Sequence, residues 1–176
     1  PVLAAIQIAV CQSTPLGPAF EWQAPDVEGC GLFFLANPNA PTGLSYDRVR
    51  IREFCERFDG VVVIDEAYAE FARENCLALA RELPNVLVVR TLSKSYSLAG
   101  ARVGYAVGHP MLIEALMKIK DSYNVNAFSQ AVAVAALNDQ AYLAETISRI
   151  RATRERLLKV LVDSGFAAIP SETNFI

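Results

Sequence analysis

Polar side chains follow two apolar runs in the middle of this sequence. Asp65 and Tyr68 come directly after Val61–Ile64, and Lys94 comes shortly after Val86–Val89. An amine that burial or nearby cations keep partly deprotonated can form a Schiff base with an aldehyde. A carboxylate at the end of an apolar strand is costly to bury unless it meets a cation, and a protonated pyridine nitrogen is such a cation.

Hydroxyl and guanidinium donors surround the lysine in the sequence. Thr91, Ser93 and Arg102 offer the donors that a phosphate dianion binds, and Tyr68 is placed to reach a ring hydroxyl. An aldehyde, a pyridinium and a phosphate in one molecule describe pyridoxal 5′-phosphate, which serves as an electron sink for carbanion chemistry. The sequence therefore predicts a site for this cofactor.

Each of these features also has an ordinary structural interpretation. Asp65 alone suits a helix N-cap, Lys94 alone suits a surface lysine, and Arg102 alone suits an ion pair. The segment 37–43 alone suits a rigid turn, because Pro and Gly punctuate loops. The combination at successive strand ends is what favours a ligand site.

The alternation of strand and helix patterns predicts how these residues are positioned. Val61–Ile64 is apolar at every position, as in strands covered on both faces. This pattern predicts an α/β fold with a sheet that is parallel at least in its middle, and ligands of such sheets bind beyond the carboxyl ends of the strands. The predicted strands are Ile6–Val10, Leu32–Ala36, Val61–Ile64, Val86–Val89 and Val103–Val107.

Helical patterns lie between and after the strands. Ser45 is the expected N-cap of a helix over 46–58, and Ser129–Leu137 is rich in Ala and Val, which predicts burial on most sides. A long helix with an apolar stripe from Leu143 to Leu161 is expected to end at Gly165. Its opposite face, with Arg149, Arg151, Arg154, Glu155 and Arg156, is interpreted as solvated. Two further helices are predicted at Asn75–Leu83 and Met111–Lys120.

The bulk composition limits the class of protein. The chain has 176 residues, 53% hydrophobic side chains and a net charge of -3, which indicates a globular domain with no basic footprint for nucleic acid. No apolar stretch is long enough for a membrane span. Four scattered cysteines without a C-x-x-C pair favour a reducing cytoplasm, no metal-ligand cluster is visible, and the sole histidine, His109, is interpreted as a loop residue.

Four segments resemble one enzyme family: 37–43, 63–68, 90–105 and 121–126. They are similar to fold-type I aminotransferases, and among these most similar to histidinol-phosphate aminotransferases. The resemblance implies a three-layer α-β-α sandwich with a mostly parallel sheet. It assigns residues 1–164 to an N-terminally truncated cofactor-binding large domain and 165–176 to the truncated start of a C-terminal small domain, so the chain is expected to be part of a longer polypeptide.

The resemblance also implies roles for individual residues. Lys94 binds the cofactor and moves protons, Asp65 pairs with the pyridine nitrogen, and Tyr68 contacts the ring hydroxyl. Thr91, Ser93 and Arg102 bind the phosphate, and Asn124 approaches the substrate. The family usually has an asparagine where this sequence has Ala40, so Asn39 or Asn37 substitutes for it, or Tyr68 makes that contact alone.

The implied activity is transfer of an amino group between L-glutamate/2-oxoglutarate and histidinol phosphate/imidazole acetol phosphate, in histidine biosynthesis. Phosphothreonine decarboxylation and aromatic amino-acid transamination are alternatives, and so is a catalytically incomplete fragment or assembly module. The resemblance implies a homodimer with a small-molecule substrate. It also implies that segments outside residues 1–176 complete the site.

Overall fold

The computed structural model describes residues 2–176, with side chains from residue 4 onward. In this part of the chain, four strands form one sheet in the order β1-β2-β3-β4. The pairs β1–β2 and β2–β3 are parallel and the pair β3–β4 is antiparallel. This confirms the predicted α/β fold with a mostly parallel sheet. The strands are β1 (Leu32–Ala36), β2 (Val61–Asp65), β3 (Val86–Thr91) and β4 (Gly104–Gly108).

Helices connect and follow these strands. Two 3₁₀ turns, Ala69–Phe71 and Ala99–Ala101, come after β2 and before β4. Within residues 2–176, no helix combines the length and the apolar character that crossing a bilayer requires. The helices are α1 (Val2–Ile6), α2 (Arg48–Arg57), α3 (Leu77–Glu82), α4 (Pro110–Ile119), α5 (Ala127–Asn138) and α6 (Gln140–Asp163).

The main hydrophobic core covers one face of the sheet, which we call the core face. Val62 and Ile64 of β2 and Val86 and Val88 of β3 lie on it and are fully buried, together with Phe54 of α2. Successive side chains of a strand point to opposite faces. Asp65 and Thr91 therefore leave the sheet on the face opposite the core, at the carboxyl ends of β2 and β3.

Two predictions are wrong: the strand at the start of the chain and the N-cap residue of α2. Ile6–Val10 is not a strand: α1 ends at Ile6, and Ile8 adopts a positive φ of 55° and is 95% exposed. A short apolar run does not distinguish helix from strand by its periodicity. The N-cap of α2 is Asp47 and not Ser45, because the Asp47 carboxylate accepts hydrogen bonds from the N–H groups of Val49 and Arg50.

The later helices differ from their predictions mainly in burial. The helix predicted at Asn75–Leu83 is shorter, since α3 begins after Cys76. The prediction that Ser129–Leu137 is buried on most sides is wrong for this chain: Ser129 and Ala133 are the buried residues of α5, and Val134 is 59% exposed. The predicted long helix is confirmed as α6, and Gly165 follows it with a φ of 85° that favours glycine.

Candidate active site

The segment that carries Lys94 is a tight loop between β3 and β4. Leu92 is buried and anchors it, because its N–H donates to the Val103 carbonyl at 3.0 Å and its own carbonyl accepts from the Leu98 N–H at 3.0 Å. The Ser97 N–H donates to the Lys94 carbonyl at 3.1 Å and closes a turn inside the loop. Lys94 itself is exposed. The residues described here therefore do not bury it, although burial was one of the two means by which the sequence suggested its amine is activated.

Tyr68 lies against Lys94, although the two residues follow different strands. The Lys94 Nζ atom lies 5.2 Å from the centroid of the Tyr68 ring, within the range of a cation–π contact. The ring of Phe175 stands perpendicular to the ring of Tyr68, with 5.3 Å between their centroids. The structure thus brings together the amine and the phenol that the sequence predicts at this edge of the sheet.

Asp65 lies at the carboxyl end of β2, where its Cα is in register with that of Val89 on β3. Its Oδ1 atom accepts a hydrogen bond from the Ala67 N–H at 3.0 Å, so the carboxylate caps the turn that leads to Tyr68. Asp65 is exposed. The cost of burying a carboxylate therefore applies in this chain to its buried neighbour Glu66 and not to Asp65.

Two of the three predicted phosphate donors, Thr91 and Ser93, contact each other, and the third, Arg102, is bonded elsewhere. The Thr91 hydroxyl donates to Ser93 Oγ at 2.8 Å and accepts from the Ser93 N–H at 3.1 Å, so these two residues form one cluster at the end of β3. Arg102 adopts a left-handed φ of 54°, and its Nη1 donates to the Ala99 carbonyl at 3.0 Å. The structure joins Thr91 with Ser93, whereas the hydrogen bond of Arg102 goes to the 3₁₀ turn before β4.

The two asparagines near Ala40 have different surroundings. Asn37 is 4% exposed; its Oδ1 accepts from the Tyr46 N–H at 2.8 Å and its Nδ2 donates to Cys76 Sγ at 3.6 Å. The Asn39 Oδ1 accepts from the Thr42 hydroxyl at 2.8 Å within its own turn. Because the interior uses both ends of the Asn37 amide, Asn39 and Tyr68 are the remaining candidates for a ring hydroxyl.

Asn124 lies on the exposed segment between α4 and α5. Its Oδ1 accepts a hydrogen bond from Lys120 Nζ at 3.2 Å. The structure therefore holds Asn124 by its own segment and does not pair it with the Lys94 loop among the described residues. Its role toward a substrate stays a prediction.

Sequence reasoning missed a buried charge network, which we call the Arg90 network: Glu66, Glu70 and Arg90. Arg90 donates to Glu66 Oε2 from Nε at 2.9 Å and from Nη2 at 2.6 Å, and its Nη1 lies 3.5 Å from Glu70 Oε1. The Glu66 side chain is completely buried. Strand alternation contains the signal, because Glu66 continues the core face after Ile64 and Arg90 continues it after Val88.

Burial and charge act in opposite directions on this network. Desolvation raises the pKa of Glu70, and the Arg90 guanidinium offsets part of that effect. Desolvation alone acts to lower the pKa of Arg90, but the Glu66 and Glu70 carboxylates outweigh it and raise that pKa. Arg90 is therefore a permanent cation whose two partners differ: Glu66 is bound by two hydrogen bonds, and Glu70 by one long contact.

Two arginines of α6, Arg151 and Arg154, bind the turn that carries Tyr68. The prediction that the arginine-rich face of this helix is solvated is therefore wrong for these two residues. Arg151 donates to the carbonyls of Glu70 and Phe71 at 3.0 and 3.1 Å, and Arg154 donates to the Thr173 carbonyl at 2.6 Å. Desolvation lowers the pKa of Arg154. These bonds fasten both the turn after β2 and the segment before Phe175 to one helix, so the ring contact between Tyr68 and Phe175 has a fixed frame.

The chain is similar in sequence to known aminotransferases. A histidinol-phosphate aminotransferase from Syntrophotalea carbinolica is 52% identical over 145 residues, which is 82% of this chain and 42% of that protein. One from Citrifermentans bemidjiense is 45% identical over 175 residues, which is 99% of this chain and 50% of that protein. The chain thus spans half or less of the length of these relatives.

A solved structure has the same fold. Histidinol-phosphate aminotransferase from Sinorhizobium meliloti, in complex with pyridoxal-5′-phosphate, superimposes with a TM-score of 0.77 at 37% sequence identity, over 83% of this chain and 41% of that one. In addition, residues 18–176 match the family described as Aminotransferase class I and II. The family predicted from the sequence is confirmed: the chain belongs to the class I and II aminotransferases.

Proposed function

We propose that the protein containing this chain is a pyridoxal phosphate-dependent aminotransferase that moves an amino group between L-glutamate/2-oxoglutarate and histidinol phosphate/imidazole acetol phosphate. The contact of Lys94 Nζ with the Tyr68 ring, at the carboxyl edge of a mostly parallel sheet, is the observation that carries this proposal. The choice of substrate rests on the relatives, two of which are named histidinol-phosphate aminotransferases and share 45% and 52% identity with the chain.

The donor set fits the cofactor. An amine, a phenol and a pair of hydroxyls lie at the ends of β2 and β3, and a carboxylate ends β2. When bound, pyridoxal phosphate supplies an electron sink that stabilises a carbanion next to its imine carbon. Its aldehyde requires an amine, its ring nitrogen a carboxylate and its phosphate several hydrogen-bond donors. Each of these needs has a matching side chain here.

Lys94 and Asp65 have the two principal roles in this proposal. Lys94 would supply the primary amine that binds the aldehyde, and as a free amine it would take and return a proton. Asp65 would supply the carboxylate that keeps a pyridine nitrogen protonated. The Asp65 Oδ1 bond to the Ala67 N–H orients that carboxylate without any contribution from the cofactor.

The remaining residues bind and orient. The Tyr68 phenol would hydrogen-bond the ring oxygen, with Asn39 as the second candidate for that contact. The Tyr68 ring contacts Lys94 and Phe175. Thr91 and Ser93, whose hydroxyls are paired, would bind the phosphate, and Arg102 would add a guanidinium. Asn124, whose Oδ1 accepts a hydrogen bond from Lys120 Nζ, would approach the substrate.

The proposal extends to the setting of the site. Lys94 and Asp65 are exposed in this chain, and chemistry on a carbanion requires that water be kept out. We therefore propose that residues outside these 176 shield the site from water. They would come from the rest of the polypeptide and from the second copy in a homodimer, and we expect the protein to be cytoplasmic. Residues 1–164, whose first residue lies outside the described part, form the large domain, and 165–176 begin a small one.

A half-reaction assay on the full-length protein loaded with pyridoxal phosphate tests the function. L-glutamate alone should convert the bound cofactor to its amine form with release of 2-oxoglutarate, and histidinol phosphate should do the same with release of imidazole acetol phosphate. Carbon dioxide released from phosphothreonine would instead identify a decarboxylase. Conversion by tyrosine or phenylalanine in preference to histidinol phosphate would identify an aromatic aminotransferase. Cofactor binding without any half-reaction would leave the catalytically incomplete assembly module.

A further inference from the structure

The Arg90 network is buried more deeply than the residues assigned to the cofactor. The side chains of Glu66, Arg90 and Glu70 are 0%, 10% and 12% exposed, whereas Asp65 and Lys94 are exposed. Burying an ion pair costs desolvation energy that its attraction often fails to recover, and replacing such a pair with apolar side chains is frequently neutral or stabilising. Stability alone is therefore a weak reason for two carboxylates and a guanidinium at this position.

The network binds the turn that carries Tyr68 at residues on both sides of Tyr68. Glu66 precedes Tyr68 by two residues and Glu70 follows it by two, and Arg90 reaches both from the neighbouring strand. The Glu66 carboxylate also accepts a hydrogen bond from the Cys76 N–H. Inside the turn, the Ala69 N–H donates to the Glu66 carbonyl at 3.1 Å. Both ends of the segment 66–70 are thus fixed to β3 through one side chain.

The same network extends toward Lys94. Arg90 directly precedes Thr91 on β3, and Ser95 directly follows Lys94. Ser95 Oγ and Glu70 Oε2 are both buried without a hydrogen-bond partner among residues 4–176. The Ser95 hydroxyl lies near enough to the Glu70 carboxylate to lower its pKa, against the larger effect of desolvation. These two unpartnered oxygens thus lie on the turn that carries Tyr68 and on the residue next to Lys94.

We propose that Arg90 is a positioning residue for Tyr68: by binding Glu66 and Glu70 together, it fixes the turn 66–71 against β3 and thereby fixes the Tyr68 ring against Lys94. The inference rests on the proposed function, because this spacing matters when both side chains face one cofactor. The planar guanidinium suits this role, because its rigid fork directs Nε and Nη2 to Glu66 Oε2 while Nη1 faces Glu70, whereas an ammonium has no fixed fork.

Hydrogen exchange on the full-length, cofactor-free protein tests directly whether Arg90 holds the turn 66–71 in place. Arg90→Lys keeps the charge and removes the fork, so the amides of Ala69, Phe71 and Ala72 should exchange about tenfold faster. Arg52→Lys is the matched control, because Arg52 makes exposed pairs with Glu56 and Glu82, and it should leave these three amides unchanged. Unchanged exchange in Arg90→Lys would overturn the proposal.

A double-mutant cycle tests the link to Tyr68. Arg90→Lys should weaken pyridoxal phosphate binding about tenfold when Tyr68 is present, and about twofold or less when Tyr68→Phe has already removed the phenol. Equal effects in both backgrounds would mean that Arg90 acts on the fold in general, and would overturn the proposal. If Arg90→Lys does not fold, Glu66→Gln, which removes a charge but keeps an acceptor, should give the same pattern with smaller ratios.

The two claims fail in different ways. A wild-type protein that binds no cofactor would defeat the proposed function, while the exchange rates of the cofactor-free protein would still decide whether Arg90 holds the turn. Conversely, normal cofactor binding and normal exchange in Arg90→Lys would defeat the positioning role and leave the proposed function standing.

Discussion

The ring of Phe175 stands perpendicular to the ring of Tyr68 at a centroid distance of 5.3 Å, and Lys94 Nζ lies 5.2 Å from the centre of the same Tyr68 ring. The phenol is thus held between the segment that follows α6 and the loop that follows β3. Three stretches of chain that are distant in sequence meet at one side chain, which is why we regard Tyr68 as the centre of the candidate site.

Replacing Asp65 with asparagine separates its two roles. Asp65→Asn keeps the Oδ1 atom that accepts from the Ala67 N–H but removes the charge that a pyridinium needs. Pyridoxal phosphate binding should weaken by about 2 kcal/mol, roughly thirtyfold in dissociation constant, because a charge-assisted hydrogen bond is lost. Fluorescence titration of the full-length protein measures this change.

The control for this substitution is Asp47→Asn, which alters the N-cap of α2 in the same way. It should leave the dissociation constant of the cofactor unchanged. If Asp65→Asn also leaves the constant unchanged, the carboxylate serves only to cap its turn.

Phe54 is the side chain on which the core depends most visibly. It is 1% exposed, and its ring packs against Trp22, Phe33 and Phe58 at centroid distances of 5.5, 4.7 and 5.4 Å. Phe54→Ala should lower the free energy of unfolding by about 3–5 kcal/mol, since it removes apolar contacts and leaves a cavity. Urea unfolding measures the loss, and Val49→Ala on the exposed side of the same helix should change stability by no more than about 0.5 kcal/mol. Similar losses for both would contradict the assignment of the core.

Glu70 should make stability fall as the pH rises. Because burial raises its pKa above the ordinary 4.5, the folded protein binds a proton more readily than the unfolded chain does. Stability from this group is therefore present at low pH and declines as the pH rises from about 4.5 through the folded-state pKa. Glu70→Gln keeps an acceptor for Arg90 and removes that dependence.

Urea unfolding of Glu70→Gln and wild type between pH 4 and pH 7 checks this sign. The stability of the variant relative to wild type should increase with pH, whereas the exposed Glu145→Gln should show no such trend. A relative stability that decreases with pH would mean that the ion pair with Arg90 outweighs desolvation.

The cysteines should differ sharply in reactivity. Burial raises the pKa of Cys55 to about 11 and that of Cys76 to about 12, whereas Cys11 is exposed. At pH 8 the two buried thiols are almost entirely protonated, with about one thiolate in a thousand or fewer, and the thiolate is the reactive form. Iodoacetamide should modify Cys11 in the native protein and reach Cys55 and Cys76 only in urea, as peptide mass spectrometry would show. Rapid native labelling of Cys76 would contradict its burial.

The sequence predicts the central sheet well because its signal is local. Val61–Ile64 is apolar at every position, and the structure confirms it as part of strand β2, which lies between two parallel strands, β1 and β3. The burial of α5 was predicted wrongly from its Ala and Val content, because burial depends on what covers a helix and not on its composition. The same limit applies to Ile6–Val10, whose apolar residues have no strand partner within residues 2–176.

The candidate site shows a similar division. Lys94 and Tyr68 follow strands that pair, so the sequence brings them to one edge and the structure places them in contact. The Arg90 network was missed because Arg90 and Glu66 lie 24 positions apart on different strands, and the contacts of Arg151 with the Tyr68 turn join residues about 80 positions apart. Such pairings depend on the tertiary fold, which a search of neighbouring residues does not reach.

Trapping the cofactor tests the central claim most directly. The full-length protein is loaded with pyridoxal phosphate, reduced with borohydride and digested, and its peptides are analysed by mass spectrometry. We expect a reduced pyridoxyl group on Lys94 that is absent from Lys94→Ala and still present in the surface variant Lys120→Ala. A pyridoxyl group on a different lysine, or one that persists in Lys94→Ala, would contradict it.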